Sequence, residues 1–193
     1  MFQKLVSNTR SYRRFDEEHH ISHEDLKDLI RLARLSPSAA NLQVLRFALI
    51  HEAQDREAIF PHLKWAGYLR YWDGPTLGER PAAYIIILTP VISTRYHLID
   101  TGIAAQSIVL GATDKGLGAC MIASVDKDHV HRIFDLPSDM EISLVIAIGK
   151  PSETIVIDDV VDPDDIEYWR DDDGIHHVPK RSLDELIVPV RTN

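Results

Sequence analysis

Cysteine, basic charge and long apolar runs are all scarce in this sequence. With Cys120 as its one cysteine, the chain can form no intrachain disulfide. The longest apolar strings, such as AAYIIIL at 82–88, fall far short of the roughly 20 residues that span a bilayer. The first residues show no apolar stretch of signal-peptide type. Lys and Arg number 21 against 30 Asp and Glu, a net charge of −9. That balance argues against broad contact with nucleic acid or an anionic membrane, because a polyanionic partner needs a basic surface. Common catalytic signatures are missing as well: no GxGxxG after a strand, no P-loop, no HExxH and no GxSxG elbow. These absences predict a cytoplasmic protein with neither a nucleic-acid nor a membrane partner, and they leave hydrolysis without local support.

What is present suits one domain spanning 1–193, since 193 residues at 45% apolar content can fill a sizeable core. Ser22 and Asp25 read as a capping box, followed by Leu26, Leu29, Ile30 and Ala33 at helical spacing. VLRFALIH (44–51), AAYIIILT (82–89) and ISLVIAIG (142–149) read as strands, the last two continuously apolar as buried strands are. Residues 100–115 read as a helix without a polar face, which needs a second surface to cover it. A short helix is expected in DKDHVHRIFDLP, ending before Pro137. Residues 158–173 hold nine acidic residues against one basic one, and without EF-hand spacing they read as a solvated surface excursion.

Within this acidic chain, TRSYRRFD (9–16) concentrates positive charge. Arg10 and Arg13 stand three apart and share a face on a helical turn, with the Ser11 hydroxyl beside them. A planar, five-donor guanidinium suits a phosphate, although a solvated basic arm has the same composition. SPSAANLQVLRF (36–47) gathers Ser38, Asn41 and Gln43 just before a strand, either as polar readers of a ligand or as an ordinary loop. GLGACMIAS (116–124) allows close backbone approach, with Met121 to Ser124 placed to lie against a flat ligand. HVPKRSLDEL supplies Lys180 and Arg181, a second basic pair far from the first in sequence. The histidine pairs 19/20, 129/131 and 176/177 lack nearby cysteines and zinc spacing, so no metal site is expected.

Taken together and in order, these four motifs resemble the FMN-dependent nitroreductase family over nearly the whole chain. The resemblance implies an α+β fold, with a central mixed, mainly antiparallel sheet flanked by helices and an intertwined homodimer holding flavin between subunits. It implies that Arg10, Ser11, Arg13 and Arg181, with Lys180, grip the FMN phosphate. Ser38, Asn41 and Gln43 would meet the ribityl chain and ring edge, with Pro37 and Ala39 lining the site. Met121, Ile122, Ala123 and Ser124 would run along the isoalloxazine. NADH or NADPH would reduce the flavin, and a nitroaromatic, quinone or similar small molecule would reoxidise it. A non-enzymatic flavin-handling protein and a specialised flavin enzyme such as a reductive dehalogenase are the alternatives. Thr9 stands where many members have a further arginine, and Val44 and Leu45 replace the usual proline and tryptophan, which alters the site wall.

Overall fold

The computed structural model describes residues 1–92, 94–162 and 164–190. Its elements, in chain order, begin with α1 (Phe2–Asn8), β1 (Phe15–Asp16), α2 (His23–Leu35), β2 (Arg46–Ile50), α3 (Ala53–Ile59) and β3 (Ala83–Pro90). They continue with α4 (Arg95–Asp114), β4 (Gly118–Ile122), α5 (Lys127–Ile133), β5 (Met140–Pro151), β6 (Ile155–Asp159), β7 (Trp169–Arg170), β8 (His176–Lys180) and α6 (Leu183–Leu186).

Strand β5 organises the main sheet. It pairs with β3 along one edge and with β4 and then β1 along the other, and β2 closes the far side against β3. Every one of these ladders is antiparallel; parallel contact in this sheet is confined to a bridge from Ser11 to Ala119. The apolar runs expected to be central strands therefore are central. Side chains alternate across the pleat, so Ile85, Ile87, Ile146 and Ile148 enter one core while Tyr84, Ile86, Val145 and Ala147 enter another. The first core is closed by α2 and α4, the second by α3, α5 and Trp65.

The Ser22–Asp25 capping box forms as expected and starts α2, which buries Leu26, Leu29 and Ala33. α2 and α4 approach closely at Gly111, where an added Cβ would sit 2.2 Å from Leu32 Cδ1. α4 begins five residues before the expected start and buries Ala104, Ala105, Ile108 and Ala112. Leu98, Ile99 and Ile103 on the same helix remain exposed, so the missing second surface is not supplied by the described residues. No described helix is long and apolar enough to cross a membrane.

The excursion after β5 is more ordered than a solvated loop. β6, β8 and β7 form a second sheet with β8 in the middle, parallel to β6 and antiparallel to β7. Acidic side chains are part of its fabric: His177 sits between Asp158 at 2.8 Å and Asp171 at 3.3 Å, its ring stacked 4.0 Å from Trp169. Pro163, within the acidic segment, lies outside the described residues. Of the aromatics in 65–72, Trp65 is core, Trp72 lies under the Arg170 guanidinium, and Tyr68 packs edge-on against Tyr168.

Candidate functional site

The segment between α1 and β1 crosses the edge of β4 and is pinned from below. The Arg13 and Arg14 N–H groups both donate to Glu153 Oε1, and Glu153 Oε2 accepts from Arg170 Nη2 at 2.9 Å. The Glu153 side chain is only 2% exposed, so this carboxylate meets its partners away from water and ties the basic motif to the second sheet. Above it opens a cavity of about 360 Å³. Arg10, Ser11 and Arg13 come to it from the N-terminal segment, Gln106 and Val109 from α4, and Ala119 and Met121 from β4. Tyr168, His176, Val178 and Lys180 complete it from the second sheet and the residue before β7. Two basic clusters distant in sequence thus meet.

Arg13 is buried and held on three sides. Its Nη1 donates to Ser11 O at 3.1 Å and bonds His176 Nε2 at 3.1 Å, and its guanidinium carbon lies 4.6 Å from the Tyr168 ring centroid. Burial, with the Arg13 and Arg170 charges added, pushes the His176 pKa down to about 4. Arg10 is anchored through Thr9 O and Val6 O. Arg14 does not line the cavity; its Nε is 3.4 Å from Glu79 Oε2, an ion pair without hydrogen-bond alignment.

Pro37, Ser38 and Gln43 line a separate cavity of about 310 Å³ with Asp100 and Ala104. The turn that builds it carries left-handed backbone at Ala40 (φ 49°), Asn41 (φ 56°) and Gln43 (φ 50°). Alanine and glutamine rarely adopt that conformation, and such strain persists where a site over-determines it. Asp100 fixes the turn by accepting from Ala39 N at 2.9 Å, while its buried Oδ2 has no hydrogen-bond partner among the described residues. At 100° per residue, Asp100 and Ala104 lie on roughly the opposite side of α4 from Gln106 and Val109. One chain therefore holds two separate cavities with a helix between them.

The other expected residues fall as follows. Met121 reaches the first cavity, Ala123 and Ser124 are exposed beyond β4, and the Ile122 side chain points into the core. Arg181 turns from the cavity to pair with Glu185 at 3.5 Å. Glu153, Asp100, Tyr168 and His176 are the residues that sequence reasoning passed over. Cys120 is buried, which pushes its thiol up to about 11 and away from thiolate chemistry. His62, Asp126 and His129 cluster at the surface, but Asp126 already caps α5, accepting from the His129 backbone and from its ring at 2.8 Å.

The family model described as the Nitroreductase family matches residues 6–150. The iodotyrosine deiodinase of Thermotoga neapolitana is 24% identical, over 79% of this chain and 90% of its own. YdgI of Bacillus subtilis, assigned as an NAD(P)H nitroreductase, is 23% identical over 88% of this chain and 97% of its own. A nitroreductase-type structure from Exiguobacterium sibiricum, solved in complex with FMN, superposes with a TM-score of 0.65 at 19% identity, covering 79% of this chain and 89% of that one. The chain belongs to the nitroreductase family.

Proposed function

We propose that this family member is an FMN-dependent oxidoreductase, carrying electrons from NADH or NADPH to a nitroaromatic, quinone or similar acceptor in a ping-pong cycle, and that it works as a homodimer. The observation that carries the reading is the convergence of Arg10, Arg13 and Lys180 on one cavity in an otherwise acidic chain. Three cations with the Ser11 hydroxyl fit a phosphomonoester. Bound there, FMN supplies the redox chemistry, and the protein supplies placement, charge and exclusion of water.

The residues divide the work. Arg10, Arg13 and Lys180 neutralise the phosphate, with Arg181 close enough in sequence to join them once freed from Glu185. Met121 on β4, with Ala123 and Ser124 just beyond its end, meets the ring. Ser38, Asn41 and Gln43, set by the Asp100-held turn, read the ribityl chain and the polar ring edge. Because α4 separates the two cavities within a chain, a second copy is the economical way to bring one chain's Ser38 cavity to the other's Arg13 cavity. The uncovered Leu98, Ile99 and Ile103 stripe and the exposed Ile187, Val188 and Val190 of the tail give that copy apolar surface to bury. No side chain need act as general acid or base.

Purified holo-protein should oxidise NADH or NADPH when a quinone or nitroaromatic is added, and should sediment at about twice the 21.9 kDa chain mass. Flavin that neither nicotinamide reduces would leave a flavin-binding protein in place of an oxidoreductase. The deiodinase relative favours one second reading, reductive removal of halide from an aromatic ring. Halide release from a halogenated phenol, absent with nitroaromatics and quinones as the only turnover, separates it.

A further inference from the structure

We propose that His176, which lies beyond the family match, is a positioning residue for Arg13: its neutral imidazole accepts a hydrogen bond that aims the guanidinium at the cofactor phosphate. The inference rests on the flavin reading above. A guanidinium only donates, so the 3.1 Å contact from Arg13 Nη1 obliges His176 Nε2 to carry the lone pair, with the ring proton on Nδ1. Nη1 then has both hydrogens committed, one to His176 and one to Ser11 O. Nη2 and Nε have no acceptor among the described residues, and these are the donors left for a phosphate.

The acceptor is itself fixed. His176 is fully buried on the central strand of the second sheet, and its backbone N–H donates to Thr154 O at 2.9 Å. Tyr168 packs 5.3 Å from the imidazole and also covers the Arg13 guanidinium, so the imidazole and the phenol ring together restrain one cation. Burial and the neighbouring Arg13 and Arg170 charges keep the imidazole neutral at ordinary pH. An arginine held in its bound geometry loses less freedom when the ligand arrives, which shows as affinity. The family core thus supplies the cation, and the appended sheet supplies its aim.

The test is titration of the full-length apo-protein with FMN and, separately, with riboflavin, which lacks the phosphate. His176→Leu should weaken FMN by about tenfold and riboflavin by less than about twofold, the size of one charge-assisted contact. His176→Gln, whose side-chain oxygen can accept, should stay within about threefold of wild type for FMN. In an Arg13→Ala background, His176→Leu should add less than about twofold, since the group it aims is gone. If Leu unfolds the chain, His176→Phe fills the ring's space without an acceptor and takes its place. Equal loss for both flavins in a folded Leu or Phe variant, a Leu or Phe variant that binds FMN like wild type, or a full tenfold loss on top of Arg13→Ala would each overturn the proposal alone. Wild-type protein that binds neither flavin would overturn the flavin reading and this inference with it.

Discussion

The main sheet and the second sheet are stabilised by different physics. β3 is buried over Ala83–Thr89, and β5 carries Val145 to Ile148 at full burial, so the main sheet is held by area removed from water. β6, β7 and β8 bury little apolar surface; Glu153–Arg170, His177 between two aspartates, and rings laid on guanidinium or imidazole hold them. The first sheet makes the fold and the second finishes the cavity. Damage to one should cost stability, and damage to the other should cost ligand.

The largest effect belongs to the main sheet. Ile146→Ala leaves a cavity between two helices and a sheet, and should lower unfolding free energy by about 2–5 kcal/mol, read from urea denaturation. Next comes Glu153→Ala, which strips two backbone N–H donors and the part-buried Arg170 of their common acceptor. A cost of roughly 3 kcal/mol is expected, concentrated as faster amide exchange over 155–180 while β3 and β5 stay protected. Exchange that accelerates evenly across both sheets would erase the distinction between them.

A smaller and opposed pair of effects comes from the two adjacent histidines. Burial works against charge on His177, but the hydrogen bonds its ring donates to Asp158 and Asp171 outweigh it and raise its pKa. Its contribution is therefore full below the unfolded value of about 6.5 and fades as pH rises through the folded one. His176, at about 4, is the reverse: its contribution is full above about 6.5 and is lost as pH falls toward 4. His177→Ala should consequently open the second sheet more at about pH 6 than at about pH 9, measured by limited proteolysis within 155–180. A larger difference at the alkaline end would contradict the assignment.

The contrast also decides what could be read in advance. α2, β3 and β5 were legible because a capping box and unbroken apolar runs leave few alternatives, and Arg10, Arg13 and Lys180 because cations stand out in an acidic chain. β4 was hidden behind two glycines. Gly118 proves to be a strand residue whose Cβ would meet Tyr12 and Pro151 at 2.7 Å, a close approach that no local pattern announces. Residues 158–173 were read as a solvated excursion because acidic side chains crowd them, yet they supply the end of β6 and all of β7, and their charges look solvent-facing until folded. Glu153 and Asp100 were illegible for the same reason. Each is one acid among 30, distinguished only by partners at least 17 and 61 residues away.

The flavin titration of apo-protein carrying Arg10→Ala, Arg13→Ala or Arg14→Ala tests the central claim most directly, because three arginines within five residues face different surroundings. Arg10 and Arg13 line the cavity and Arg14 pairs with Glu79 outside it. Loss of one charge-assisted phosphate contact should weaken FMN by about ten- to hundredfold for Arg10→Ala and Arg13→Ala, roughly 1.5–3 kcal/mol, with circular dichroism unchanged. Arg14→Ala should bind FMN within about twofold of wild type. Equal affinity in all four proteins, or a loss as large at Arg14 as at Arg13, would contradict the phosphate grip.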